Sequence, residues 1–394
     1  MSWSPLLDPD EPRVAAALDH IIEAVAGDGA VPAGPTGGPL TAGAAGWAVL
    51  CAYAGREEAA ERHLDAAFAE VADVEMDASL FGGFTGVGWA DAHLHPEADA
   101  GEEVDELVLE LVSRAPWPGT PGAYDLVSGL VGLGVYALER RPRAAGCLEA
   151  IALRLDEVAA QGPDGVWRTP AEHLPAHQRE RAPAGLHDLG VAHGVAGAIA
   201  FLAGAIRAGV EVERCRRLLE RAVPWLLARR QPDGMPAQLV AGEPPRASRL
   251  AWCYGDPGTA AALLLAANAT GDAAWRDAAV TIAREAAARP PERTGVVDAM
   301  LCHGAAGLGH IFNRLHQATG DPPLRDAAIA WFERALDMRR PGEGVGGFRA
   351  HDGVLGWHDD GGLLTGSAGV ALALLAATRA TEPAWDRLLL LSLR

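Results

Sequence analysis

The sequence is poor in basic residues and has no long apolar run. Lys and Arg number 33 against 52 Asp and Glu, which gives a formal net charge of −19. This charge repels phosphate backbones and leaves no basic patch, so nucleic acid is excluded as an expected partner. No apolar run approaches the roughly 18 residues that a membrane helix needs, and residues 1–10 do not resemble a signal peptide. We therefore expect a cytoplasmic protein that is not an integral membrane protein.

Cysteine is also scarce. The five cysteines are Cys51, Cys147, Cys215, Cys253 and Cys302, an odd number scattered along a chain without an export signal. A disulfide framework is therefore not expected. The first three lie in Ala- and Leu-rich helical patterns, which indicates small buried hydrophobic residues.

Alternating strand patterns are nearly absent, and the chain instead repeats one helical pattern. Gly, two residues, Gly and then small apolar residues occur seven times, starting at Gly43, Gly83, Gly129, Gly194, Gly255, Gly304 and Gly366. The runs after the glycines are apolar on every side, as in buried helices. Between them lie segments with the three- and four-residue apolar spacing of surface helices, at 12–26, 56–72, 102–114, 144–160, 212–229, 273–288 and 323–338.

This alternation predicts an all-α fold, an α/α toroid (barrel) of seven inner and seven outer helices. No helix pair can bury its apolar face without its neighbours, so we expect residues 1–394 to form a single closed domain. The glycine pairs suit tight turns or close backbone approach, which would place all seven turns at one end of the barrel. Successive starts lie 40, 46, 65, 61, 49 and 62 residues apart, and the longer intervals predict loop insertions near 161–188, 231–249 and 341–362.

Reactive side chains stand beside the glycines in four of the seven turns. They are Tyr124-Asp125, His193, Trp252-Cys253-Tyr254 and Cys302-His303. Two cysteines and one histidine form a usual catalytic zinc set, with the fourth coordination position open. Cys253 and Cys302 are 49 residues apart, but the toroid would bring their turns together. Taken alone, Cys302-His303 could also be a core cysteine beside a structural histidine, or a Cys/His nucleophile pair.

Two phrases carry a resemblance to a known family. Trp252-Cys253-Tyr254-Gly255 and Cys302-His303-Gly304, in this order on a helical repeat, closely resemble the lanthipeptide cyclases, the LanC-like proteins. The resemblance spans nearly the whole chain. It implies a seven-fold toroid with a central Zn²⁺ held by Cys253, Cys302 and His303. It also implies an activity, in which a zinc-bound cysteine thiol of a modified peptide adds to dehydroalanine or dehydrobutyrine and forms a thioether ring.

The addition leaves an enolate that needs a proton, so an acid should stand opposite the zinc. Residues 192–197 resemble the active-site histidine turn of the family, and residues 124–129 resemble the turn whose aspartate bonds that histidine. This implies His193 as the acid and Asp125 as the residue that orients it. The alternative is that Asp125 caps a helix and His193 is structural.

Two further residues match the family pattern. Arg249 lies three residues before Trp252 and could steady the enolate or a ligand, although a lone arginine is more often a surface charge. Tyr254 could contact the substrate or could only pack. The implied partners are a dehydrated precursor peptide with its leader, a separate dehydratase, because the toroid leaves no room for one, and a transporter. Membrane association through such a biosynthetic complex is left open.

Other functions fit less well. Protein prenyltransferases use an Asp, Cys and His set, and toroidal terpene cyclases and glycosidases need paired carboxylates, whereas Asp359-Asp360 has no acidic partner motif. A non-catalytic scaffold would need none of the site residues. A LanC-like enzyme that adds glutathione or another thiol to dehydrated residues would have the same site. The chain departs from the family pattern in one respect. Well-known members carry a substrate-binding domain inserted into the toroid, whereas no such domain can be delimited here and residues 161–188 number only 28.

Overall fold

The computed structural model describes residues 3–34, 37–98, 101–114, 124–162, 164–174 and 176–393. In chain order, the α-helices are α1 (Pro12–Ala26), α2 (Ala44–Tyr53), α3 (Glu57–Asp73), α4 (Phe84–Leu94), α5 (Glu102–Ser113), α6 (Leu130–Glu139), α7 (Ala145–Gln161), α8 (Ala176–Arg181), α9 (Val195–Arg207), α10 (Val212–Leu227), α11 (Asp256–Thr270), α12 (Ala273–Ala287), α13 (Ala305–Thr319), α14 (Pro322–Asp337) and α15 (Ser367–Thr378). The four strands, β1 (Leu186–Asp188), β2 (Gln238–Val240), β3 (Ala350–Asp352) and β4 (Gly356–His358), form two antiparallel pairs, β1–β2 and β3–β4.

Seven helices form a closed inner ring. Each starts directly after the first glycine of one Gly-x-x-Gly turn, and they are α2, α4, α6, α9, α11, α13 and α15. Each packs on the next, and α15 packs back on α2. Seven others lie outside them, at α1, α3, α5, α7, α10, α12 and α14, with bounds within two residues of the predicted segments. The mostly helical toroid confirms the predicted fold class.

The second glycine of each turn is required by close approach to backbone. A Cβ added at Gly307 would lie 1.9 Å from the carbonyl oxygen of Leu301, and one at Gly197 would lie 2.2 Å from that of Val191. The equivalent contact at the other five turns is 2.0 to 2.6 Å. A side chain at this position would push the inner helix away from the turn that precedes it. The repeat therefore reflects packing at the start of every inner helix.

The turns are also tied to one another around one end of the barrel. Backbone hydrogen bonds run from Leu126 N to Ala192 O (3.1 Å), Val191 N to Cys253 O (2.9 Å), Trp252 N to Cys302 O (3.1 Å), Cys302 N to Leu364 O (2.9 Å), Leu364 N to Thr41 O (3.1 Å) and Thr41 N to Phe81 O (3.3 Å). This chain of bonds gathers all seven turns at one end, because each link joins residues of consecutive turns.

The segment 385–393 occupies the interior of the barrel. The carbonyl of Leu389 accepts from the Trp252 indole at 2.9 Å, and that of Leu393 accepts from Asn268, near the end of α11, at 2.8 Å. At the start of this segment, Asp386 is fully buried and accepts from Arg314 and His310, each at 2.6 Å. The segment 385–393 is thus bonded to the turn of Cys253 and to the inner helices α11 and α13.

The longer intervals carry short structured insertions. The first contains a 3₁₀ turn at Ala171–His173, α8 and β1, and β1 pairs with β2 of the second insertion. The third contains the β3–β4 hairpin. Among the described residues, no helix combines the length and apolar character needed to cross a membrane.

Candidate active site

The hydrogen-bonded turns bring two cysteines and a histidine together. Sulfur atoms of Cys253 and Cys302 and a ring nitrogen of His303 all lie within 4.8 Å of one another, and this is the only such trio of potential metal ligands in the part of the chain that the structure describes. Cys253 is 7% exposed and Cys302 is 8% exposed. Both backbones belong to the chain of bonds around the rim, so the ligand positions are set by the turns.

The charge of the trio suits a cation. A hydrogen bond from Cys302 holds the pKa of Cys253 well below its ordinary value, and the same bond raises the pKa of Cys302. The bond between the two cysteines therefore favours negative charge on Cys253. Thiolate and imidazole are ligands that zinc prefers, and tetrahedral bonds of about 2.0–2.3 Å need ligand atoms that nearly touch. The donor set and its spacing fit Zn²⁺ with one position open.

His193 and Asp125 form a hydrogen-bonded pair. Nδ1 of His193 lies 2.7 Å from Oδ2 of Asp125, which leaves Nε2 as the ring nitrogen available to a substrate. Asp125 is 2% exposed, and its Oδ1 also accepts from the Ser128 amide at 2.7 Å. Asp125 therefore shapes its turn and bonds the histidine, but it does not cap α6, whose N-cap is Gly129 without a side-chain bond.

The imidazole of His193 is held in its charged form. Burial opposes the charge, but the hydrogen bond and the charge of Asp125, with the charges of Asp188 and Cys253, raise the pKa of His193 to about 9. Its side chain is nevertheless 42% exposed, so it is accessible from the rim. The raised pKa accordingly favours the protonated ring of His193 at neutral pH.

Tyr254 and Arg249 lie in the same region. The Tyr254 and His193 rings are 6.4 Å apart between centroids. Arg249 is exposed, and its charge reaches the trio. The pKa of Cys253 is lowered first by the bond from Cys302 and further by Arg249. The structure thus brings all seven sequence-predicted site residues to one end of the barrel.

Sequence reasoning missed two buried aspartates. Asp188 accepts from the hydroxyl of Tyr254 at 3.1 Å, and burial raises its pKa to about 6 against the opposing charge of His193. Asp298 lies in the turn of Cys302, and its Oδ2 accepts from the His351 amide of the β3–β4 hairpin at 3.0 Å. The signal that could have found them is an Asp six residues before the first glycine, which recurs in four turns.

A closed helical toroid with a two-cysteine, one-histidine trio and a His–Asp pair at one end defines the class of this protein. The chain belongs to the lanthionine synthetase C-like protein family, whose model matches residues 34–390. The nisin biosynthesis protein NisC of Lactococcus lactis subsp. lactis is 26% identical over an alignment of 267 residues that covers 61% of this chain and 63% of NisC. That match spans less than two thirds of NisC. A solved structure of nisin cyclase shares the fold, with a TM-score of 0.76, 20% identity and 97% of each chain covered.

Proposed function

We propose that the protein is a zinc-dependent lanthipeptide cyclase that forms lanthionine and methyllanthionine rings. The observation that carries the proposal is the trio of Cys253, Cys302 and His303 at the same end of the barrel as the His193–Asp125 pair. Membership of the lanthionine synthetase C-like family agrees with this chemistry. NisC, named for nisin biosynthesis, supports a peptide as the substrate.

Cys253, Cys302 and His303 would hold the zinc. When bound there, zinc lowers the pKa of a coordinating substrate thiol, so that its sulfur is present as the nucleophilic thiolate. The protein supplies two thiolates and an imidazole, which leave the fourth position for that sulfur. The buried turns exclude bulk water from the side of the ligands.

His193 supplies the proton. The sulfur forms a bond to the β-carbon of dehydroalanine or dehydrobutyrine, and the double-bond pair moves toward the carbonyl to give an enolate. His193 then transfers its proton to the α-carbon and regains one from solvent, which has taken up the proton released by the substrate thiol. The addition is redox-neutral and has no leaving group. Asp125 keeps the ring oriented and charged, while Arg249 stabilises negative charge and Tyr254 contacts the peptide.

The substrate would be a dehydrated precursor peptide with its leader. A dehydratase would supply it, and a transporter would export the product from a cytoplasmic complex. We assign peptide contact to the insertion at 161–188, which joins the turns of Asp125 and His193. Within this insertion Arg179 donates to three carbonyls of its own loop and Arg181 donates to Glu243, so both guanidinium groups already have partners within the protein.

The test is an assay on a dehydrated, cysteine-containing peptide with zinc-loaded protein. Free thiols are counted before and after by alkylation and mass spectrometry. Cyclisation should remove alkylation sites without changing the mass of the peptide, because the addition is intramolecular. His193→Asn protein serves as the folded control and should leave the thiols reactive.

Two outcomes would contradict the proposal. An unchanged thiol count with zinc-loaded protein and several dehydrated peptides would eliminate cyclase activity. A mass increase equal to glutathione, seen only when glutathione is supplied, would assign the site to the addition of a small thiol instead.

A further inference from the structure

Four turns share a structural aspartate, which comes six residues before the first glycine. In each, Oδ1 accepts from the backbone amide two residues further on, at 2.8 Å for Asp77, 3.2 Å for Asp188, 3.1 Å for Asp298 and 2.7 Å for Asp360. This is the local bond by which Asp shapes a turn. It occupies one carboxylate oxygen and leaves the other free for a different partner.

At Asp188 the second oxygen holds a side chain of the active site. Its Oδ2 accepts from the Tyr254 hydroxyl at 3.1 Å and from Gln238 at 3.2 Å. At Asp360, by comparison, Oδ2 accepts from the Thr365 hydroxyl at 2.8 Å. The two aspartates are 4% and 0% exposed. Both aspartates are therefore buried, make the same turn bond and accept from a hydroxyl group. They differ in that Tyr254 lies beside His193 at the candidate active site.

Tyr254 lies where it can touch a substrate. It directly follows Cys253, and its ring is 6.4 Å from that of His193. The turn of Asp188 packs on it, because a Cβ at Gly190 would lie 2.6 Å from Cδ1 of Tyr254 and 2.1 Å from the Cys253 carbonyl. The phenol is thus fixed at its ring by Gly190 and at its hydroxyl by Asp188.

We propose that Asp188 is a positioning residue that accepts a hydrogen bond from the hydroxyl of Tyr254. Because this bond uses the only hydroxyl hydrogen, the phenol oxygen can act toward the peptide substrate only as a hydrogen-bond acceptor. A phenol can donate one hydrogen bond, and here it donates that bond to the carboxylate. Backbone amides of a peptide supply the matching donors. The inference rests on the proposed cyclase function, and it assigns binding to Tyr254 while proton transfer remains with His193.

The register of the β1–β2 pair extends this role to the second insertion. Asp188 pairs with Gln238, and the Gln238 side chain donates to the same oxygen as Tyr254. The insertion at 231–249 therefore contributes a second donor to the carboxylate oxygen that holds Tyr254. Gln238 thus links the second insertion to the carboxylate that holds Tyr254.

Two measurements test the proposal. In Asp188→Asn the side-chain oxygen can keep the turn bond, but the amide then donates toward Tyr254 and reverses the direction of their bond. The first measurement is the NMR signal of the tyrosine ring carbon that bears the hydroxyl. The chain has four tyrosines, so Tyr254→Phe identifies the signal of Tyr254. We expect it to move in Asp188→Asn and to stay in place in Asp360→Asn.

The second measurement is cyclisation kinetics on a dehydrated peptide with zinc-loaded protein. We expect Asp188→Asn and Tyr254→Phe each to raise KM about tenfold, as for one lost hydrogen bond, with kcat within about threefold of wild type. The double variant should match Tyr254→Phe alone, since the two residues act as one unit. Asp360→Asn should resemble wild type.

An unmoved Tyr254 signal in Asp188→Asn would overturn the proposal, whatever the activity. Multiplicative effects in the double variant, or a loss of kcat with KM unchanged, would overturn it as well. If zinc-loaded wild-type protein cyclises no peptide, the proposed function fails instead, and the tyrosine signal still reports on the Asp188–Tyr254 bond.

Discussion

At the scale of single residues, the metal ligands make the most direct prediction. Cys253→Ala, Cys302→Ala and His303→Ala should each lose most of the zinc, because three ligands share one ion. Cys51→Ala is the matched control, since Cys51 is a buried core cysteine away from the trio. Elemental analysis of the purified proteins measures the molar ratio of zinc to protein chain. We expect this ratio to be about one in wild type and in the control. Full zinc content in two of the ligand variants would refute the assignment.

The His193–Asp125 pair should be needed for turnover but not for the metal. We expect His193→Asn to keep its zinc and its helicity while kcat falls by about 100-fold or more, as for loss of a general acid. Asp125→Asn should have the smaller effect, because orientation is lost while the acid remains. Rates are measured on the same dehydrated peptide. Near wild-type turnover by a folded His193 variant would assign the proton donor elsewhere.

The pH profile follows from the pKa of His193. With that pKa raised to about 9, the acid stays protonated at neutral pH, and the rate should fall as pH rises through about 9. Removing the Asp125 carboxylate removes an influence that raises the pKa, so the fall should occur at lower pH in Asp125→Asn. The linked stability has the same sign, since a raised pKa stabilises the fold below about pH 6.5, and this contribution is lost on approaching pH 9. A profile of Asp125→Asn that overlays that of wild type would contradict this account.

At the scale of elements, the glycines that start the inner helices can be tested. Gly197→Ala would place a Cβ 2.2 Å from the Val191 carbonyl, so α9 and its turn must separate. We expect a loss of about 1–3 kcal/mol in the free energy of unfolding, the usual range for overpacking. The control is Gly146→Ala in α7, where the nearest atom is a Leu109 methyl at 3.8 Å, and it should be neutral or slightly stabilising. Urea denaturation measures both, and equal stabilities would disprove the packing explanation.

The insertion at 161–188 can be tested separately from the inner helices. Leu174, Ala182, Leu186 and Val240 form a small apolar cluster separate from the main core. Replacing 171–182 with a Gly/Ser linker should therefore leave zinc content and helicity intact while weakening binding of the precursor peptide. Calorimetry measures the affinity, and a Gly/Ser replacement of 353–355 in the β3–β4 turn is the control. Unchanged affinity in the first variant would move recognition to 231–249 or 341–362.

At the scale of the whole molecule, the C-terminal segment holds the barrel together from within. Asp386 is fully buried between Arg314 and His310, so Asp386→Ala would leave the buried Arg314 guanidinium with only the partly exposed carboxylate of Glu382. We expect a loss of about 3–5 kcal/mol in the free energy of unfolding, as when one partner of a buried ion pair is removed. Arg387→Ala, which removes a half-exposed partner of Glu139, should cost less than about 1 kcal/mol. Comparable losses in both variants would contradict the ranking.

Trp252 links this segment to the candidate site. Its indole donates to Leu389, and its backbone amide donates to Cys302. The same residue therefore touches the buried segment and the turn of a metal ligand. The single domain expected for residues 1–394 stays a prediction: tryptophan fluorescence and far-UV circular dichroism should report one coincident unfolding transition.

The sequence by itself determined the toroid and the candidate ligands. The Gly-x-x-Gly period is readable because backbone crowding allows no other residue at the start of each inner helix, as at Gly307. The three- and four-residue spacing of apolar residues likewise located the outer helices, because a helix that buries one face needs apolar residues at that spacing. Cys253, Cys302 and His303 were recognisable because reactive side chains stand out beside glycines.

Only the tertiary structure decided which side chains meet across turns. Asp188 and Tyr254 are 66 residues apart, and nothing in their local pattern announces the bond between them. The same holds for Asp298 with His351 and for Asp386 with Arg314, which lie 53 and 72 residues apart. Local periodicity shows which face of a helix is buried. A contact between two side chains from different turns depends instead on how the ring of helices closes and how far each turn projects into it.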